Sequence, residues 1–115
     1  MRTGLTTLLA VVALSSPGCA PTPRVSTPEA ACATATARVT AQRGLPPSHV
    51  ALCDHIPEAD GPRGYFVLAL RAHCFEDLCG STSMGWFAVQ KATGDVFEVE
   101  DMSAWKLGRR LPRGS

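Results

Sequence analysis

The sequence has no excess of either charge: eleven Lys and Arg stand against ten Asp and Glu. Arg2 is the only charged side chain before residue 24, so the remainder of the chain is formally balanced. Binding to a phosphate backbone requires a clear basic excess, and nucleic acid is therefore not expected as a partner. No apolar run approaches the ~20 residues of a membrane span. No P-loop, dinucleotide fingerprint or paired-carboxylate motif occurs, and Ser81 and Ser83 lack the G-x-S-x-G context of a hydrolase nucleophile. Cysteine is the exception to this poverty, with five in 115 residues. Their meaning depends on the compartment in which the protein works.

The N-terminus supplies an address. One basic residue, an unbroken apolar run over residues 8–14 (LLAVVAL) and the breakers Ser15, Ser16, Pro17 and Gly18 have the form of a secretory signal peptide over residues 1–18. A cut by ordinary signal peptidase after Ala20 would fall before Pro21, whose tertiary amide makes a poor scissile partner. The segment Ser16-Pro17-Gly18-Cys19 resembles the lipobox of bacterial lipoproteins, matching it at Gly18 and Cys19 and departing from it at Ser16 and Pro17. The resemblance implies that Cys19 carries lipid and anchors the protein in the membrane of the cell envelope. In a host with two membranes, Ala20 after the lipid-bearing cysteine implies the outer membrane, with the domain facing the periplasm. A secreted or periplasmic soluble form is the alternative. Assigning Cys19 to lipid also leaves an even set of cysteines.

Residues 19–28 are rich in proline and hydroxyl side chains and have no apolar period. Such a segment buries too little surface to offset its ordering entropy, which predicts a tether. Thr27-Pro28-Glu29 then opens a helix with a hydroxyl cap, a proline in the first turn and an acid near the positive end of the dipole. The helix is predicted over residues 29–43, and Gly44 with Pro46-Pro47 stops it. Its apolar stripe, Cys32, Ala35 and Val39, is made of small side chains. That suits close packing on a sheet.

The longest apolar stretch of the folded part is residues 65–74 (YFVLALRAHC). At strand period one face is wholly apolar and the other mostly so, which predicts a central strand covered on both sides. Residues 49–53 (HVALC) read as a strand before it. Residues 85–91 and 95–100 form a hairpin around Ala92-Thr93-Gly94. In the second of these, Phe97 and Val99 alternate with Glu98 and Glu100, so one face should be wet. The expected domain is α+β over residues 29–107, one N-terminal helix packed on a four-stranded antiparallel meander and stapled by two disulfides. Residues 108–115 are expected to be a basic flexible tail, with Trp105 capping the core.

Geometry selects among the three ways of pairing Cys32, Cys53, Cys74 and Cys79. Helix residues 32 to 43 climb about 16 Å at 1.5 Å each, and residues 48 to 53 return about 17 Å as a strand. Cys32 and Cys53 therefore meet at one end. Cys53 and Cys74 fall at opposite ends of a hairpin, roughly 20 Å apart against the ~5.5 Å of a disulfide. The expected pairs are Cys32–Cys53 and Cys74–Cys79, the second closing a tip of Phe75, Glu76, Asp77 and Leu78 that is a candidate contact surface.

Other residues are candidates by type alone. Cys53, His55, His73, Cys74 and Cys79 are zinc-ligand types, but their spacings follow no recurring zinc pattern and disulfides are the better account in an exported chain. His49, His55 and His73 read as surface or strand-edge residues. Asp54, Glu58, Asp60, Glu76 and Asp77 do not follow the EF-hand spacing. No metal, cofactor or catalytic residue is expected.

The hairpin over residues 85–99, with its Lys91-Ala92-Thr93-Gly94-Asp95-Val96 turn, resembles the closing hairpin of PepSY-like domains. These are small exported modules associated with restraining peptidases or assisting envelope proteins. The sequence thus predicts a lipid-anchored envelope binding module without catalytic activity, whose partners are the membrane through Cys19 and an envelope protein or peptide. A PepSY-like or cystatin-like peptidase modulator is the alternative, and a small metal-dependent enzyme the remote one.

Overall fold

A helix laid across one face of a meander of strands accounts for nearly every buried side chain in the computed structural model, which describes residues 24–74 and 82–113. The helix α1 (Pro28–Arg43) begins where Thr27 accepts a hydrogen bond from the Ala30 N–H at 3.1 Å, with Pro28 in its first turn. It ends at Gly44, whose φ of 70° is left-handed and returns the Gly44 and Leu45 N–H groups to the carbonyls of Ala41 and Thr40. Ala31, Ala35 and Val39 are fully buried. Thr40 is buried beside them and satisfies its hydroxyl on the Thr36 carbonyl at 2.6 Å.

The strands are β1 (Val50–His55), β2 (Tyr65–Ala72), β3 (Ser83–Gln90), β4 (Val96–Asp101) and β5 (Lys106–Arg110), antiparallel and adjacent in chain order. The sheet therefore has five strands rather than the expected four. The extra one is β5, so residues 108–110, expected in a flexible tail, lie in a strand. Asp101 accepts hydrogen bonds from the Ser103 and Ala104 N–H groups and turns the chain back. Leu111 continues past β5 into the core, fully buried, its N–H bonded to the Val96 carbonyl at 2.8 Å. It takes the capping place expected of Trp105, which sits half-buried in the β4–β5 turn at φ 51°.

The helix side of the sheet carries Phe66, Leu68, Leu70, Met84, Phe87, Val89 and Val96. Gly85 stands opposite Leu70 at φ 118°, and a Cβ there would come within 3.2 Å of the Phe87 ring. That glycine lets Phe87 fold against the strand beneath the helix. Val25, ahead of the helix, is also buried, and its N–H reaches the Lys91 carbonyl at 3.0 Å. The tether is thus fastened to the β3–β4 end of the sheet.

Cys32 and Cys53 form a disulfide with Cα atoms 6.0 Å apart, tying the helix to β1. One complete bridge is described where two were expected. Cys74 is disulfide-bonded, while Cys79, the partner the spacing selects, lies outside the described residues.

Candidate functional site

Residues directly opposite one another in a sheet share a face, so the register identifies the side that the helix leaves uncovered. One row across it runs Asp54, Ala69, Trp86, with Val99 and Leu107 paired beyond them. The next runs Val67, Ala88, Phe97, Arg110. Leu52 opposes Arg71 at one margin, and Tyr65 lies at the other, its ring edge-on to Phe97 at 6.1 Å. The helix α1 does not lie on this face, and residues 56–64, with a short 3-10 turn at Glu58–Asp60, cover it only beside Val67.

Its floor is nevertheless dry. Val67, Ala69 and Ala88 are buried, and the segment after β1 lies against Val67. The rim is not. Trp86 is 37% exposed and Leu52 57%, the two large apolar residues that stand out among the described residues. The sequence prediction that β2 is covered on both sides holds, since residues 66–70 are all buried. Its helix side is covered by α1 and its other side by side chains of the sheet itself and residues 56–64. An apolar sheet face with a central tryptophan is a feature of interaction surfaces.

A second feature is an open cleft of about 440 Å³ at the β1–β2 connection, lined by Glu58, Ala59, Gly61, Pro62, Arg63, Gly64 and Lys91. Lys91 pairs with Glu58 and lies 4.6 Å above the Phe66 ring. The cleft is shallow, and its two cations do not converge with a nucleophile.

The remaining candidates are dispersed. His49 and Cys53 are half-buried, His55 and His73 exposed. Cys53 is committed to its disulfide, and no group of three or more potential ligands is gathered among the described residues. Asp54 pairs with Arg71 at 3.4 Å and Glu58 with Lys91. Ser83 accepts from the Gly85 N–H at 3.3 Å. Cys19, the tip residues Phe75, Glu76, Asp77 and Leu78, and Ser81 lie outside the described residues.

The basic residues of the expected tail are all engaged with acids: Lys106 with Glu100, Arg109 with Glu98, and Arg110 and Arg113 with Asp95. Asp95 is only 6% exposed and takes both Arg113 nitrogens, at 2.8 and 3.0 Å. Hydrogen bonding from Arg113 holds its carboxyl below the ordinary value of 3.8, against the opposing effect of burial, with Thr93 and Arg110 assisting. A carboxyl with a depressed folded pKa contributes stability above its unfolded pKa, and that contribution is lost as pH falls through the folded value. The expected result is that Asp95→Asn is destabilised relative to the parent at pH 7, and that the gap closes below about pH 4. Urea denaturation across that range measures it, and a gap that does not change with pH would refute the clamp.

No family model, curated protein or solved structure matches the chain.

Proposed function

We propose that this chain is a lipid-anchored binding module of the bacterial cell envelope, acting by docking and with no chemistry of its own. The observation that supports docking is the exposure of Trp86 and Leu52 on the sheet side opposite α1, around a buried apolar floor. The leader, the Gly18-Cys19 pair and the proline-rich segment after it support the anchor. Val25, fixed beside Lys91, brings the anchored chain into the domain at the β3–β4 end and leaves the face clear of the tether's attachment.

Two measurements test the two halves. Mass spectrometry of the mature protein is expected to find a diacyl or triacyl group on Cys19, and Cys19→Ser to release the protein from membranes. An unmodified product beginning at Pro21 would overturn the anchor. Trp86→Glu is expected to abolish the cellular phenotype of the protein while leaving its circular dichroism unchanged. A phenotype indifferent to charge at this position would remove the face from the function.

A further inference from the structure

We infer that the end of the domain where the tether enters is a seat for the phosphate groups of anionic lipid, carried by Arg24, Arg63 and Lys91. This deepens the binding-module reading and rests on its lipid anchor, because it says how the anchored domain meets the surface to which it is tied.

The backbone puts the three cations together. The Val25 N–H donates to the Lys91 carbonyl at 3.0 Å, and the Lys91 N–H donates to the Gly64 carbonyl at 2.9 Å. Arg24 and Arg63 each immediately precede a member of that relay. The tether, the end of β3 and the approach to β2 are thus laced side by side, one cation from each. Arg63 and Lys91 also line the open cleft of about 440 Å³, where Gly61 and Gly64 carry no side chain. A Cβ on Gly64 would meet nothing within 4 Å, so the backbone there is open to approach. A shallow, open cleft suits a phosphate presented from a surface better than a ligand that must be enclosed.

The ion pairs decide which charges remain available. The cations of β2, β5 and the C-terminal clamp are matched by acids. On α1, Arg38 is half-buried, and Arg43 donates to the Met84 carbonyl and lies over the Phe87 ring. Arg24 and Arg63 are exposed and have no acid paired with them among the described residues, and both stand at the tether end. The acids near them are Glu58, paired with Lys91, Asp95, buried under Arg110 and Arg113, and the exposed Asp60. Five cations therefore stand with three acids at this end, in a chain whose total charges nearly cancel.

Distance decides whether a membrane would feel them. Val25 follows Cys19 by six residues, which at 3.6 Å each reach at most about 22 Å. Lipid on Cys19 would hold this end within about three Debye lengths of the headgroups even with the tether fully drawn out. Each Lys or Arg at an anionic surface strengthens partitioning roughly fivefold, and a basic patch is the usual second signal beside an acyl chain. Seated this way, the strands stand up from the bilayer. Trp86, four residues before Gln90, is about 13 Å above the seat, clear of lipid.

The test is co-sedimentation of the full exported chain carrying Cys19→Ser with vesicles, so that no acyl chain contributes. Binding is expected to phosphatidylcholine vesicles containing roughly 40% phosphatidylglycerol, with release at about 0.5 M salt, and not to phosphatidylcholine alone. Arg24→Gln with Arg63→Gln is expected to weaken binding at least about tenfold. Lys106→Gln with Arg109→Gln removes the same net charge from β5 and is expected to change it by less than about twofold. Equal losses from the two pairs would show attraction by net charge alone and overturn the seat. Absence of binding to the anionic vesicles, or release by excess soluble glycerol phosphate, would also overturn it. None of these outcomes touches the anchor, which the mass of the Cys19 peptide decides; vesicle binding by a chain that is never acylated would remove the anchor and leave the seat.

Discussion

Replacing Cys32 and Cys53 together by alanine is expected to lower the melting temperature by about 12–24 °C, more than any change on the exposed surface. The bridge closes a separation of 21 residues, for which the chain-entropy model gives about 3 kcal/mol. Each kcal/mol moves the midpoint of a domain this small by about 4–8 °C. Where the loss falls follows from β1, which is an edge strand with no fully buried residue. Its attachment consists of one ladder to β2, a few half-buried contacts and the disulfide to α1. Without the bridge, β1 is expected to exchange its amide hydrogens well before β3 does. The pairing of Cys74 with Cys79 expected from the spacing would close a much shorter loop, and removing both is expected to cost less. A shift below 5 °C for the Cys32 and Cys53 variant, read by scanning calorimetry, would show that packing alone holds the helix to the edge.

The parts of this fold that the sequence announces are those whose signals are local. Thr27-Pro28 and Gly44 bracket the helix because a cap and a left-handed stop are short-range chemistry, and the structure moves its start by a single residue. The β3–β4 hairpin is likewise contained in its own turn. The bridge from Cys32 to Cys53 could be reached because rise per residue converts sequence separation into distance. β5 could not be. Lys106-Leu107-Gly108-Arg109-Arg110 has one apolar residue and a glycine, and its charges are tolerated because Glu100, Glu98 and Asp95 wait across the strand. An Asp-Met-Ser turn at residue 101 was the available signal.

The candidate face was hidden for a different reason. Alternation in β4 reports that two residues differ from their neighbours, not which side carries a helix. Val96 and Leu111 occupy the helix side, Glu98 stands opposite Phe87 with Arg109 for a partner, and Phe97 faces the open side with Trp86 and Tyr65. Apolar residues on both faces of β2 announced two covers. Both lie inside the domain, α1 on one side and residues 56–64 with the neighbouring sheet side chains on the other.

Leu111→Ala is the second large effect, expected to destabilise the domain by about 3 kcal/mol in urea denaturation. A leucine at the end of a basic, frayed segment would contribute almost nothing. This one is 0% exposed and packs in the same cluster as Val96, Phe87 and Val39. Truncating a buried leucine removes its transfer free energy and leaves a cavity, together about 2.7–5 kcal/mol. The lower part of that range is appropriate because Leu111 lies at the margin of the sheet, where the chain end can partly collapse into the space. Its position is held from both sides, by the bond from its own N–H to the Val96 carbonyl and by the Arg113–Asp95 clamp two residues on. Arg109→Ala supplies the contrast: it breaks an exposed ion pair with Glu98 and is expected to change stability by less than about 0.5 kcal/mol. Ending the chain after Trp105 removes β5 and Leu111 together and leaves β4 as an unpaired edge over an open core, so cooperative unfolding should be lost altogether. If that shortened chain unfolds with the parent's midpoint and slope, the fifth strand is no part of the folding unit.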